Sequence, residues 1–201
     1  MQILFILAAI AATGDVEIGS DVFPANDPFC ADCAESMRYQ ILYLEEEIGT
    51  AIEIQSISLM RTVQGETEVL LDTLVIYIGY SDLDQLGTVF DDNYRPGTMT
   101  EVFWEENFTV HAPDPNSWFA VDLEVPFFYD GSGNLIIEYC WPAGSGAVYN
   151  YHWDVPARSL TAGWGSSSGF TSDDCPHLLL TGTLNLEHFT FGALKAEFAV
   201  P

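Results

Sequence analysis

Apolar and polar residues alternate with a period of two along most of this chain. In residues 118–125, Trp118, Ala120, Asp122 and Glu124 fall on one face and Phe119, Val121, Leu123 and Val125 on the other, the mark of a half-buried strand. Pro126 is expected to end that strand. Asp130-Gly131-Ser132-Gly133-Asn134 then supplies residues that tolerate positive φ, and residues 135–140 (LIIEYC) predict the return strand of a hairpin.

The same period recurs elsewhere. Strands are predicted over residues 15–23, 38–44, 52–61, 73–80, 98–110, 147–155, 177–184 and 188–200. Residues 73–80 (TLVIYIGY) are apolar on both faces, which suits a strand covered on both sides. Residues 45–49 (EEEIG) read as a polar turn and residues 158–170 (RSLTAGWGSSSGF) as a Gly/Ser-rich loop. Helix-like spacing occurs in residues 81–97, at Leu83, Leu86 and Phe90, predicting one helical turn inside a long loop. About nine to eleven strands of this length predict an all-β fold, a two-layer antiparallel β-sandwich of the jelly-roll kind. Residues 15–201 form that single domain, preceded by an apolar segment over residues 1–14.

Charge changes the picture more than composition does. With 48% apolar and 13% aromatic residues, the chain has material for a full core. Thirty Asp and Glu face only five Lys and Arg (Arg38, Arg61, Arg95, Arg158, Lys195), a formal charge of −25. That balance excludes nucleic acid and anionic lipid as partners, since both require cationic surface. It suits a protein in a salty medium, or one that shares divalent cations between carboxylates. No cofactor is required by the sequence; Ca²⁺ is the ion its carboxylates suggest.

Residues 3–12 form an apolar run that ends in small residues, and Ala9-Ile10-Ala11 fits a processing site, so one reading is a signal peptide without a basic leader. The run is too short to span a bilayer. The other reading makes Ile3, Leu4, Phe5, Ile6 and Leu7 an assembly segment that adds as a strand to the open sheet edge of a neighbouring copy. Four cysteines in a secreted chain suit two disulfides. The expected pairs are Cys30–Cys33 and Cys140–Cys175; cross-linking of the loop cysteines to Cys140 and Cys175 is the alternative, and a zinc site joining Cys30 and Cys33 to Cys175 and His177, which would leave Cys140 unpaired, is a weaker one.

Several stretches together resemble a β-sandwich domain that recurs in secreted bacterial proteins, often beside sorting or anchoring segments. They are residues 38–49 (RYQILYLEEEIG), 54–59 (IQSISL), 74–94, with Ile76-Tyr77-Ile78-Gly79-Tyr80 and then Phe90-x-x-Asn93-Tyr94, and 118–141, with Pro126-Phe127-x-Tyr129-Asp130-Gly131-x-x-Asn134-Leu135. The CxxC loop and the near-absence of Lys depart from that pattern. The resemblance implies a fold and an extracellular or cell-surface location. It implies no particular activity.

Chemistry-bearing constellations are sparse. His111, His152, His177 and His188 show no metal-ligand spacing, and residues 163–169 form a flexible loop rather than a nucleophile turn, so no catalytic residue is assigned and an enzyme is not expected. Oxygen clusters for Ca²⁺ are Asp82/Asp84, Asp91/Asp92/Asn93, Asp130/Ser132/Asn134 and Asp173/Asp174; the third also reads as a plain turn capped by its own side chains. Tyr149, Tyr151, Trp153 and Trp164 offer rings on which a sugar could stack, or which fill the core. The sequence thus points first to a secreted, non-enzymatic, self-assembling subunit of a filament, tube or surface layer, with donor-strand exchange and divalent cations as its joints. A carbohydrate-binding or adhesion module is the alternative.

Overall fold

The structure is a computed structural model, and it describes residues 11–185. Ten strands carry almost all of the regular structure: β1 (Ala11–Ile18), β2 (Phe23–Ala25), β3 (Met37–Tyr43), β4 (Ile52–Ser81), β5 (Thr100–His111), β6 (Trp118–Tyr129), β7 (Asn134–Trp141), β8 (Gly144–Ala162), β9 (Phe170–Pro176) and β10 (Leu178–Asn185). The all-β expectation therefore holds. Residues 1–10 and 186–201, with the assembly segment and the last predicted strand, lie outside the described residues.

The layering differs from two separate jelly-roll sheets. All ten strands belong to one sheet, and its pairings close a ring, β4–β7–β3–β8–β4. The cause is the length of β4 and β8. The first half of β4 pairs with β10 and β6, and its second half with β5 and β7, so a single strand serves both sides of the core. Register shifts at Arg61/Gly65 and Gly65/Val69 bend it between the two roles. Gly65 sits there at φ 77°, where an added Cβ would lie 2.6 Å from the Ala147 carbonyl oxygen. The segment around this bend is polar and exposed from Val63 to Glu68, so the sequence reads as two strands with a loop between them.

The predicted hairpin at residues 118–140 is also rearranged. β6 and β7 follow each other but do not pair. β6 lies on the first half of β4 (Ile52 opposite Tyr129) and β7 on its end (Ser81 opposite Asn134), so the turn between them carries the chain across the molecule. Pro126 does not stop β6. It falls where the register with β4 slips between Ile54 and Ser56, a bulge that needs no proline N–H. Residues 45–49 form one helical turn, α1 (Glu45–Ile48), closed by Gly49 at φ 68°. The long loop carries the expected turn as a 3₁₀ segment, Asp91–Asn93. β8 extends through Arg158 to Ala162, and β9 forms from FTSDDCP, which no alternation announces.

Inside the ring lies the main core, with Trp141, Tyr39, Tyr43, Tyr129, Tyr139 and Phe29 fully buried. Each large side chain taken from water contributes about 1.5–3 kcal/mol. A second, smaller cluster of Leu42, Leu86, Phe90, Tyr94, Ile136 and Leu160 sits on the outer face, where residues 82–99 fold back over the sheet.

Candidate functional site

Residues from the stretches 38–49, 74–94 and 118–141 meet under this folded-back loop. Glu138 of β7, 1% exposed, accepts from Arg38 Nε at 2.7 Å, from Gln40 Nε2 at 2.8 Å and from the Tyr94 hydroxyl at 3.2 Å. Asn93 Nδ2 donates to Gln40 Oε1 at 2.8 Å, and the Ser81 hydroxyl donates to the Asn93 carbonyl at 2.7 Å. Tyr80 accepts from the Asp130 N–H at 2.9 Å and stacks on Tyr129, while Asn134 Nδ2 donates to the Leu83 carbonyl. The motifs thus form one hub that fastens the loop to the sheet. Their residue types are explained by satisfying buried polar groups, not by reactivity.

The sequence's cation candidates divide. Asp84, Asp130 and Asn134 converge with Glu45 and Glu46 on an open cleft of about 1020 Å³ between α1 and the β6–β7 turn. Asp130 caps its own turn there, accepting from the Ser132 N–H and hydroxyl at 2.9 and 2.7 Å, and these bonds hold its carboxyl below the usual range. Asp82 leaves the group to pair with Arg95 at 2.6 Å, which lowers its pKa likewise. Asp91 pairs with Arg38 at 2.9 Å, Asp92 is exposed beside it, and Asn93 is buried in the hub. Asp173 accepts from the Ala157 N–H at 2.8 Å. Among the described residues, no three His, Cys, Asp or Glu side chains gather closely enough to hold a metal ion.

Of the expected disulfides, Cys30–Cys33 is formed. Cys140 and Cys175 are buried, free thiols, which corrects the second pair. Cys140 projects from the outer face, with its thiol 3.4 Å from Glu138, whereas Cys175 belongs to the inner core. The sheet itself separates them. Burial pushes both thiols up, so both stay protonated. A thiol titration is expected to find no reactive thiol in the native protein and two after unfolding. A native titre of one or more would contradict this burial.

The aromatic candidates also separate. Tyr149, Tyr151 and Trp153 are half-buried on one face of β8, with Trp153 packed on the core and the Tyr151 hydroxyl donating to Asn116 Oδ1 at 2.9 Å. Trp164 does not join them. It lines a hollow of about 270 Å³ with Arg38, Tyr77, Met99, Glu138 and Cys140.

One polar group was not legible in the sequence. The Ser159 hydroxyl donates to Asp174 Oδ1 at 2.8 Å, and His152 Nδ1 lies 3.3 Å from Asp174 Oδ2, within ion-pair reach but outside hydrogen-bond alignment. The carboxylate stands between the other two groups, so no base accepts the serine proton, and Ser159 and His152 are both fully buried. This is not the order of a nucleophile and its base. β9, which supplies Asp174, is the strand that sequence patterning missed.

Positive charge is spent inside. Among the described residues Arg61 and Arg158 are buried and Arg38 is mostly so, which leaves Arg95 as the arginine most exposed at the surface. No helix of the described residues is long and apolar enough to cross a membrane. No known family, no curated protein and no solved structure matches the chain.

Proposed function

We propose that this chain is a secreted, non-enzymatic structural subunit that joins to copies of itself at the cell surface or in an extracellular filament, tube or layer. The observation that carries the reading is the edge of β1. Among the described residues β1 pairs on one side only, with β10, and the chain leads from its first residue directly back into Ile3, Leu4, Phe5, Ile6 and Leu7. An open edge next to an apolar strand-forming segment is the arrangement strand exchange uses. The curled sheet then serves as a distorted, jelly-roll-like sandwich whose two layers share β4. Acidic surfaces oppose such contacts at close range, so divalent cations held between carboxylates, those of the Glu45/Asp130 cleft among them, are the natural bridge.

The test is electron microscopy with light scattering on the full chain and on a chain lacking residues 1–10, each with Ca²⁺ or EDTA. Polymers are expected from the full chain with Ca²⁺. The truncated chain should stay monomeric and bind a synthetic peptide of residues 1–10. A full chain that remains monomeric at high concentration with Ca²⁺, together with no peptide binding, would overturn the proposal.

A further inference from the structure

The hollow beside Trp164 has no part in strand exchange, and its construction is specific. Antiparallel register places two rows of side chains across the outer face: Trp104, Val75, Cys140, Arg38 and Ala162, then Glu101, Tyr77, Glu138, Gln40 and Leu160. The hollow opens between these rows, with Cys140 and the Arg38–Glu138 pair at its base. Met99 and Trp164 stand at its sides, 45% and 44% exposed, and Trp104 extends the apolar strip at 46%.

Trp164 belongs to a Gly/Ser-rich loop whose composition favours mobility, yet its backbone is fastened on both sides. The Trp164 N–H donates to the Ser36 hydroxyl at 3.1 Å, and Arg38 Nη1 donates to the Ser166 carbonyl at 2.9 Å. Gly165 turns the chain between these anchors at φ 74°. The backbone that carries the indole is therefore held in place while nearly half of the residue faces water. An exposed aromatic ring on a fastened backbone beside a recess gives a ligand a stacking surface with less ordering entropy to overcome than a free loop would.

Charge selects the ligand. A net charge of −25 repels anions, and the one guanidinium in the hollow is already engaged by Glu138, Asp91 and the Ser166 carbonyl. What remains for a guest is indole and thioether surface, with Tyr77 in the lining as a polar contact. A neutral ring with apolar faces and a rim of hydroxyls meets all three conditions. The volume of about 270 Å³ suits one such ring, near the lower end for small-molecule pockets. We propose that the Trp164 hollow binds a single neutral pyranose unit of a glycan, stacked on Trp164 with its hydroxyls toward Tyr77.

The experiment titrates the full chain with glucose, galactose, mannose, N-acetylglucosamine and short oligomers of each. Calorimetry and Trp fluorescence are the readouts, with glucuronate as an anionic control. Saturable binding of at least one neutral sugar, weaker binding of glucuronate, and a loss of about tenfold in affinity on Trp164→Ala are expected. Trp164→Phe should retain most of the affinity, and Trp153→Ala should leave it unchanged. Trp164 is exposed, so its variants are expected to keep the wild-type circular dichroism, checked in parallel. No saturable binding of any neutral sugar, or binding unaffected by Trp164→Ala, would overturn the proposal. The residues given for the hollow are not those removed by truncating residues 1–10, so the sugar titration and the assembly assay read separate proposals.

Discussion

Replacing Arg38 by methionine is expected to cost about 3–5 kcal/mol of stability at neutral pH, toward the lower end because Arg38 keeps 14% of its side-chain surface exposed. The substitution leaves Glu138, 1% exposed, as a buried carboxylate with Gln40, Tyr94 and the weak Cys140 thiol as donors. It also removes the bonds to Asp91 and the Ser166 carbonyl, and the guanidinium that lies 4.3 Å over the Phe90 ring. Burial alone would lower the guanidinium's pKa; its bonds to Glu138 and Asp91 outweigh that and hold it above normal. Adding Glu138→Gln to Arg38→Met should recover part of the loss, because the stranded charge disappears while the side-chain shape stays. Chemical denaturation of the single and double variants reads the coupling, and hydrogen exchange should show residues 82–99 opening first. A loss below about 1 kcal/mol, with no recovery in the double variant, would mean that the pair is a surface contact in energetic terms.

That hub also shows how far the sequence could be read. Alternation located β3, β5, the first part of β6 and β7, because each buries one face or lies under cover. Residues 38–49, 74–94 and 118–141 stand out in the sequence as specific stretches. What escaped was their reason: Glu138, Gln40, Asn93 and Tyr94 are distant in sequence and become one network only when residues 82–99 fold back. β4 was read as two strands because its bend is exposed and polar. The pairing of β6 and β7 was misjudged because a turn sequence specifies a change of direction, and the partner is chosen by register with β4. Cys140 and Cys175 were paired by parity, which carries no information about faces of a sheet. The cleft joining Asp84, Asp130 and Asn134 with Glu45 and Glu46 was half-visible, since the Asp and Asn were singled out while the EEE run was taken for a turn.

Lowering the pH from 7 to about 4.5 is expected to stabilise this protein, and Asp27 is the main single cause. Asp27 sits half-buried at the end of the polar group inside β8, and its carboxyl is pushed up to about 6, first by burial and then by the neighbouring Asp174 charge, with His152 opposing. An acid whose folded pKa lies above its unfolded value of 3.8 favours the native state when protonated. Its contribution is complete below about pH 4 and is lost as the pH rises through 6. The shift corresponds to up to about 3 kcal/mol, reduced to about 2 by partial exposure. Asp174 works the other way. Burial opposes its charge, but the nearby His152 and bonds from Ser172 and Ser159 outweigh that and depress its pKa, so its contribution is present above pH 4 and fades below it. Between them, these two groups place maximal stability near pH 4–5, and acidification relieves repulsion among the other carboxylates in the same direction. Asp27→Asn keeps the backbone carbonyl that accepts from His152 and removes the charge. It should raise stability by about 2 kcal/mol at pH 7, leave it unchanged at pH 4, and flatten the melting-temperature profile between them. If the variant instead follows the wild-type profile throughout, Asp27 is ionised without cost in the native state, and the acid preference arises from surface repulsion alone.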